Sequence, residues 1–244
     1  MNSLKTDAFI LSGFKYGDTS KIVTLFSEEA GKFSAIVKGV RNNKSKLSGV
    51  FENMNHVNVI FTKKENRDLQ FIPKAECISS FSAIKDNFDK LMVAYKLLEL
   101  TSKMMYEYDV SKEVYHLLKE AFYCLNNVQI NFDLVFLLFQ IRFSIIQGID
   151  PVNTKIGNFV DNNFVLNDRV NIIKGNMFFD DNKKMYIEML NEKSFSDIEL
   201  IHKDKELVKQ IQNAYEYHFM TSIGKYGFSK SNQIIDELNN KHYT

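Results

Sequence analysis

The chain's 244 residues are 45% apolar and 13% aromatic, ample for a real core in one large domain or two small ones, and two prolines, ten glycines and no Ser, Gly or Gln tract exclude a low-complexity chain. A formal net charge of +1 argues against a protein wrapped in nucleic acid over its whole surface. That total conceals an asymmetry: residues 1–50 hold eight Lys or Arg against four acids, residues 51–80 are balanced, and residues 81–244 are left with a net of −3.

The first residues carry one lysine and a short apolar run before Lys15, without the length or small-residue cleavage site of an export signal. From there to residue 79, short runs rich in Val, Ile, Phe and Thr alternate with Gly, Asn and Asp, and predict five strands over residues 5–15, 20–27, 31–39, 55–62 and 68–79. The third alternates most plainly, with Phe33, Ala35 and Val37 on one face and Ser34, Ile36 and Lys38 on the other. Five short strands in so few residues suit a small closed barrel of the OB-fold type, with an SH3-like barrel left open by periodicity alone.

After Phe81 the apolar period lengthens to that of a helix. Ile84, Phe88, Leu91, Met92, Tyr95, Leu98 and Met105 predict one long helix from about 83 to 108, and a second follows over 111–125. A third, over 132–147, is apolar nearly all round, is capped by Asn131 and is stopped by Gly148 and Pro151; at this length, and broken by Asp133, Gln140 and Arg142, it reads as a buried helix rather than a membrane span. Residues 152–180 read as a β-hairpin insertion, residues 183–191 as a helix, Ser196 with Glu199 as a capping box, and residues 205–223 and 230–239 as closing helices. The fold class expected is therefore α+β, a barrel domain at 1–80 followed by a helical domain at 81–244. The two cysteines, Cys77 and Cys124, lie in unlike patterns and read as core hydrophobes in a reducing cytoplasm.

The strongest functional signal is the stretch KGVRNNKSKLSG at 38–49, where Lys38, Arg41, Lys44 and Lys46 stand among Gly, Asn and Ser without an acid. Cations of this kind displace counterions from a phosphate backbone, and small polar residues let the main chain approach it; a solvated hairpin loop has the same composition. Phe14 and Tyr16 beside Lys15, and Phe51 after the loop, offer rings on which bases stack, with core packing as the alternative for each. No Walker loop, Gly-x-Gly-x-x-Gly, Gly-x-Ser-x-Gly or His-Glu-x-x-His motif occurs, and the five histidines are scattered. Glu28 with Glu29 and Asp180 with Asp181 read as solvated turn residues. No catalytic residue is expected.

Residues 16–47, YGDTSKIVTLFSEEAGKFSAIVKGVRNNKSKL, resemble the N-terminal signature of the bacterial RecO recombination and repair family, as do Ala75-Glu76, Gly148 with Pro151, and Ser229-Lys230-Ser231 further on. That resemblance implies an OB-fold joined to a helical domain, binding to single- and double-stranded DNA, annealing of complementary strands, and cooperation with RecR in loading RecA where single-strand-binding protein covers the DNA. It implies phosphate contacts at Lys38, Arg41, Lys44 and Lys46, supported by Lys21 and Lys32. Among the rings Tyr16 is the favoured one for stacking, and Lys203, Lys205 and Lys209 on the C-terminal helices are available to the acidic C-terminal tail of single-strand-binding protein, with a merely solvated helix face as the alternative. Many members of that family hold zinc through four cysteines after the helix ending near Pro151; no cysteine follows Cys124 here, so no cofactor is expected and the hairpin is expected to be held by Phe159, Phe164, Val165, Phe178 and Phe179. The alternative is an interaction module that docks a protein or RNA without annealing DNA.

Overall fold

A computed structural model of the chain describes residues 3–42, 45–64, 67–152, 157–160, 163–166 and 179–222. Two compact units divide between Phe122 and Tyr123, and the strands of the barrel occupy the start of the first.

In that unit β1 (Ser3–Tyr16), β2 (Ser20–Ser27) and β3 (Gly31–Val37) form an antiparallel meander, β4 (His56–Thr62) pairs with the first half of β1, β5 (Leu69–Phe71) runs parallel to β3, and β6 (Lys74–Ser79) pairs antiparallel with β4. The sheet has six strands where five are expected, because the predicted last strand breaks at Ile72-Pro73. Proline lacks the N–H needed to continue a ladder, and the chain there leaves β3, with a last bond from Ile72 N to Ile36 O (3.3 Å), to join β4. Since β5 and β6 are the two ends of the order β5-β3-β2-β1-β4-β6 and only two residues separate them, the sheet closes on itself as an OB-like barrel. Its interior includes the alternating face read from the third strand, Phe33, Ala35 and Val37, joined by Ala8, Ile10, Val23, Leu25, Val57, Val59 and Phe61, all buried.

A bulge in β1 between Ile10 and Ser12 decides which side chains face outward. Before it, Phe9 lies opposite Phe26 on the outer face; one extra residue, buried Leu11, reverses the parity, so that Ser12, Phe14 and Tyr16 face outward after it.

One predicted helix is two: α1 (Ser82–Lys85) ends at Asp86, and α2 (Phe88–Met104) starts anew behind Asn87, whose side chain accepts from Lys90 N. With the first part of α3 (Lys112–Asn127) they cover part of the barrel's outer face. Phe9 stacks on His56 (4.6 Å between centroids), Phe122 packs against both Phe9 and Phe81, and Tyr115 Oη lies 2.8 Å from His56 Nε2. Burial pushes the His56 imidazole down to about 4, with nearby Asp7 opposing and Lys119 reinforcing the shift. The β2–β3 turn holds this layer: Tyr108 N donates to Lys32 O (2.7 Å), and Gly31, at φ +65°, lies so close to Asp109 that a Cβ there would sit 2.2 Å from its carbonyl oxygen. Glu28 and Glu29 are accordingly not simply solvated; they meet His116 (3.2 Å) and Lys112 (2.6 Å) on α3.

The second unit is built on α4 (Phe132–Ile146), whose residues Leu134 to Ile141 are buried without a gap. It ends as the sequence predicts, with Gly148 at φ +67° and the paired bonds Gly148 N to Ile145 O and Ile149 N to Ser144 O. Asn131 stands at its start but makes no cap bond; its amide instead donates to Ile198 O and Ile201 O. The capping box belongs to Ser194 and Asp197, heading a 3-10 helix (Phe195–Leu200), rather than to Ser196 and Glu199. The remaining elements are the hairpin strands β7 (Gly157–Val160) and β8 (Asn163–Leu166), α5 (Asp181–Asn191), capped by Asp180, and α6 (Lys205–Ser222). Of the rings expected to hold the hairpin, only Phe179 has a described side chain, set edge-on to Tyr215 at 5.3 Å; the predicted helix at 230–239 and the Ser229-Lys230-Ser231 element lie outside the described residues.

Candidate functional site

Opposed residues of neighbouring strands share a face, and four of them form an unbroken row on the barrel's outer surface: Phe14 opposite Ile22, Ile22 opposite Ile36, and Ile36 opposite Phe71. The rings at its two ends are 59% and 43% exposed, and Tyr16, two residues along β1 on the same face, is 52% exposed. Thr24 and Ser34 form the next row, 3.5 Å apart between hydroxyls. Isolated large apolar residues on a surface need no explanation, but a row of them with a ring at each end forms a platform.

Cations stand beside this row. Lys38 Nζ lies 5.8 Å from the centroid of the Phe71 ring. Arg41 is fixed against the β1–β2 turn by its own N–H to Thr19 O (2.9 Å) and by Nη1 to Gly17 O (2.9 Å), and its guanidinium carries further donors beyond that bond. The β4–β5 loop on the other flank is held by buried Gln70, whose amide donates to Lys64 O, Arg67 O and Tyr108 Oη and accepts from Lys64 N; it presents exposed Lys63 and Arg67.

The structure separates the cations that the sequence places together. Lys38 and Arg41 are exposed near the row. Lys46 lies instead in a groove on the β1–β4–β6 wall, and Lys44 lies outside the described residues. Lys21 and Lys32 are tethers: Lys21 Nζ donates to Phe51 O (2.7 Å) and pairs with Glu52 (3.1 Å), while Lys32 Nζ donates to Ser102 O (2.7 Å). Among the rings, Phe51 is fully buried in the barrel core and offers no stacking face. Phe71, Ile22 and Ile36 were missed as site residues in sequence; period-two alternation places Ile36 outward, but nothing local shows that Phe71 ends beside it, since their pairing depends on a parallel strand some 35 residues further along the chain.

The two thiols cannot supply a four-cysteine metal site: Cys77 is exposed on β6, against the core position expected for it, and Cys124 Sγ donates to Phe195 O (3.1 Å). Among the described residues no three His, Cys, Asp or Glu cluster as metal ligands, and no helix is long and apolar enough to cross a membrane.

Residues 1–81 match the family described as Recombination protein O N terminal. The chain is also similar to proteins named DNA repair protein RecO: that of Chlorobium limicola is 33% identical over 148 residues, covering 61% of this chain and 57% of the relative. The corresponding protein of Prosthecochloris aestuarii is 33% identical over 61% of this chain and 56% of its own length, and that of Salinibacter ruber 29% over 61% and 57%. The chain thus spans a little more than half the length of these relatives.

Proposed function

From the premise that the chain resembles RecO, over residues 1–81 by family and over 148 residues by relatives, we propose that it binds DNA as a recombination mediator in repair, and that its single-strand site is the row Phe14–Ile22–Ile36–Phe71 with Tyr16, Lys38 and Arg41. OB barrels bind oligonucleotides on the face of their second and third strands and the adjoining loops, which is where this row lies. The observation that carries the reading is the uncovered row itself. Bases stack on rings without regard to sequence, contributing about 1–3 kcal/mol each, while Lys38 and the outward donors of Arg41 meet phosphates. Annealing, cooperation with RecR, and displacement of single-strand-binding protein for RecA loading are part of this proposal. None needs a catalytic residue or a cofactor, and purified protein is expected to contain no stoichiometric zinc by elemental analysis. For the acidic tail of single-strand-binding protein, Lys205 and Lys209 are the exposed cations of α6, whereas Lys203 is paired with Asp133 at 2.8 Å.

The test is anisotropy of a labelled single-stranded oligonucleotide over a range of salt concentrations. The wild type is expected to bind with a steep salt slope and the variant F14A/F71A to lose at least about 10-fold in affinity; K38A/R41A should flatten the slope by about 1.4, near 0.7 for each phosphate contact to a single strand. Salt-insensitive or absent binding by the wild type would favour the interaction-module alternative.

A further inference from the structure

A second wall of the barrel carries a groove of about 310 Å³ lined by Lys5, Lys46, Leu47, Asn58, Ile60, Pro73, Lys74, Ala75 and Glu76. The strand register shows how it is built. Lys5 on β1, Ile60 on β4 and Lys74 on β6 oppose one another in a single row, so an isoleucine lies between two lysines whose backbones stand about 10 Å apart, two strand spacings. The next outward row is Asp7, Asn58 and Glu76, in which the Asn58 amide donates to the Asp7 carboxylate at 2.5 Å. The third ammonium, Lys46, comes from the loop after β3, whose Leu47 packs against the barrel core. That loop is held in place by buried Asn55, which donates to Gly49 O (2.8 Å) and Val50 O (3.0 Å) and accepts from Lys85 Nζ (2.8 Å).

Two properties set the groove apart from the stacking row. Its floor is aliphatic, with no ring on which a base could stack. Its charge is three lysines against one lining carboxylate, and Lys5, Lys46 and Lys74 have no ion-pair or hydrogen-bond partner among the described residues. An occupant matched to it presents anions at intervals with apolar surface between them and no exposed flat face. A sugar–phosphate backbone has that pattern: deoxyribose lies on the Ile60–Pro73–Leu47 floor while successive phosphates meet the ammonium groups, and sequence is not read. We infer that the Lys5–Lys46–Lys74 groove is a second nucleic-acid site, which holds a duplex or a second strand by its backbone while the ring row holds the bases of the first. The inference rests on the DNA-binding reading above and deepens it, giving two strands separate seats on one barrel.

The experiment compares the full chain with K5E/K74E, whose lysines are exposed or line the groove and support no core contact, on a labelled duplex and a labelled single strand at several salt concentrations, with thermal unfolding as the folding control. The expected result is a duplex affinity at least 10-fold lower and a salt slope shallower by about 1.8, two phosphate contacts at near 0.9 each, with single-strand affinity within twofold of the wild type. Unchanged duplex binding, or equal losses on both substrates, overturns the second site. A peptide alternating Asp with Leu that binds the wild type, fails to bind K5E/K74E and leaves duplex binding untouched would also overturn it, identifying the groove as a protein-docking site. The F14A/F71A variant keeps the two readings separable: if it binds single strands as the wild type does, the ring row fails as a site, and the groove stands or falls on the duplex result alone.

Discussion

The barrel carries two aromatic surfaces on the same outer face, and only one of them is covered. Around Phe9, Phe26, His56 and Phe81 the helices deliver Tyr115 and Phe122, and the patch is closed. Around Phe14, Ile22, Ile36 and Phe71 no described helix of the first unit is laid over the two rings, which stay 59% and 43% exposed. Composition does not distinguish the two; the difference lies in what packs on them. Rings under a helix stabilise the fold, and rings left open at the end of a barrel, beside fixed cations, are available to a ligand.

Substitutions in the two patches should therefore separate stability from binding. Truncating the covered patch has the largest expected effect: Phe9→Ala should lower unfolding free energy by about 3–5 kcal/mol in a denaturant titration, since it leaves a cavity among packed rings. Gly31→Ala should come close behind, at roughly 3 kcal/mol or more, because the added Cβ meets Asp109 O at 2.2 Å and φ is +65°. If either proved as mild as a surface change, the covered patch would not be the fold's clamp.

The buried His56 sharpens the comparison by pH. Its folded value, about 4, lies below the unfolded 6.5, so between these the unfolded chain binds the proton and the folded chain does not. Stability is thus full above pH 6.5 and falls as pH drops toward about 4, by on the order of 3 kcal/mol for this group. His218, pushed down by burial in the second unit, acts in the same direction. Replacing His56 with Gln should flatten the profile measured by unfolding between pH 4 and 7; an unaltered profile would mean that the imidazole is not held neutral by the ring layer. The smallest stability effect belongs to the open patch: Phe14→Ala should change unfolding free energy by within about 0.5 kcal/mol, while single-strand affinity falls.

The sites differ in how far the sequence reveals them. The cations of residues 38–46 stand out because they lack acidic neighbours, yet their common appearance misleads: the chain after β3 sets Lys38 over the Phe71 ring of β5, Arg41 against the β1–β2 turn and Lys46 on another wall. Lys21 and Lys32 look identical to them in sequence, and only their partners, Phe51 O with Glu52 and Ser102 O, show that they hold the fold.

Local periodicity determined the strands of the barrel, its buried interior and the long helices, because burial on one face imposes a period of 2 or 3.6 on the side chains. The stop at Gly148 was legible for a similar reason, being a short-range backbone requirement. Whatever depended on partners distant in the chain was decided by the tertiary structure. The β1 bulge set Phe14 and Tyr16 outward, Pro73 split the last strand between two neighbours, Asn87 divided one apolar stripe into two helices, and Asn131 gave its amide to another segment rather than to its own helix. The ring row and the lysine groove belong to this second kind: each is assembled across strands whose residues lie tens of positions apart, and only pairing register brings them to one face.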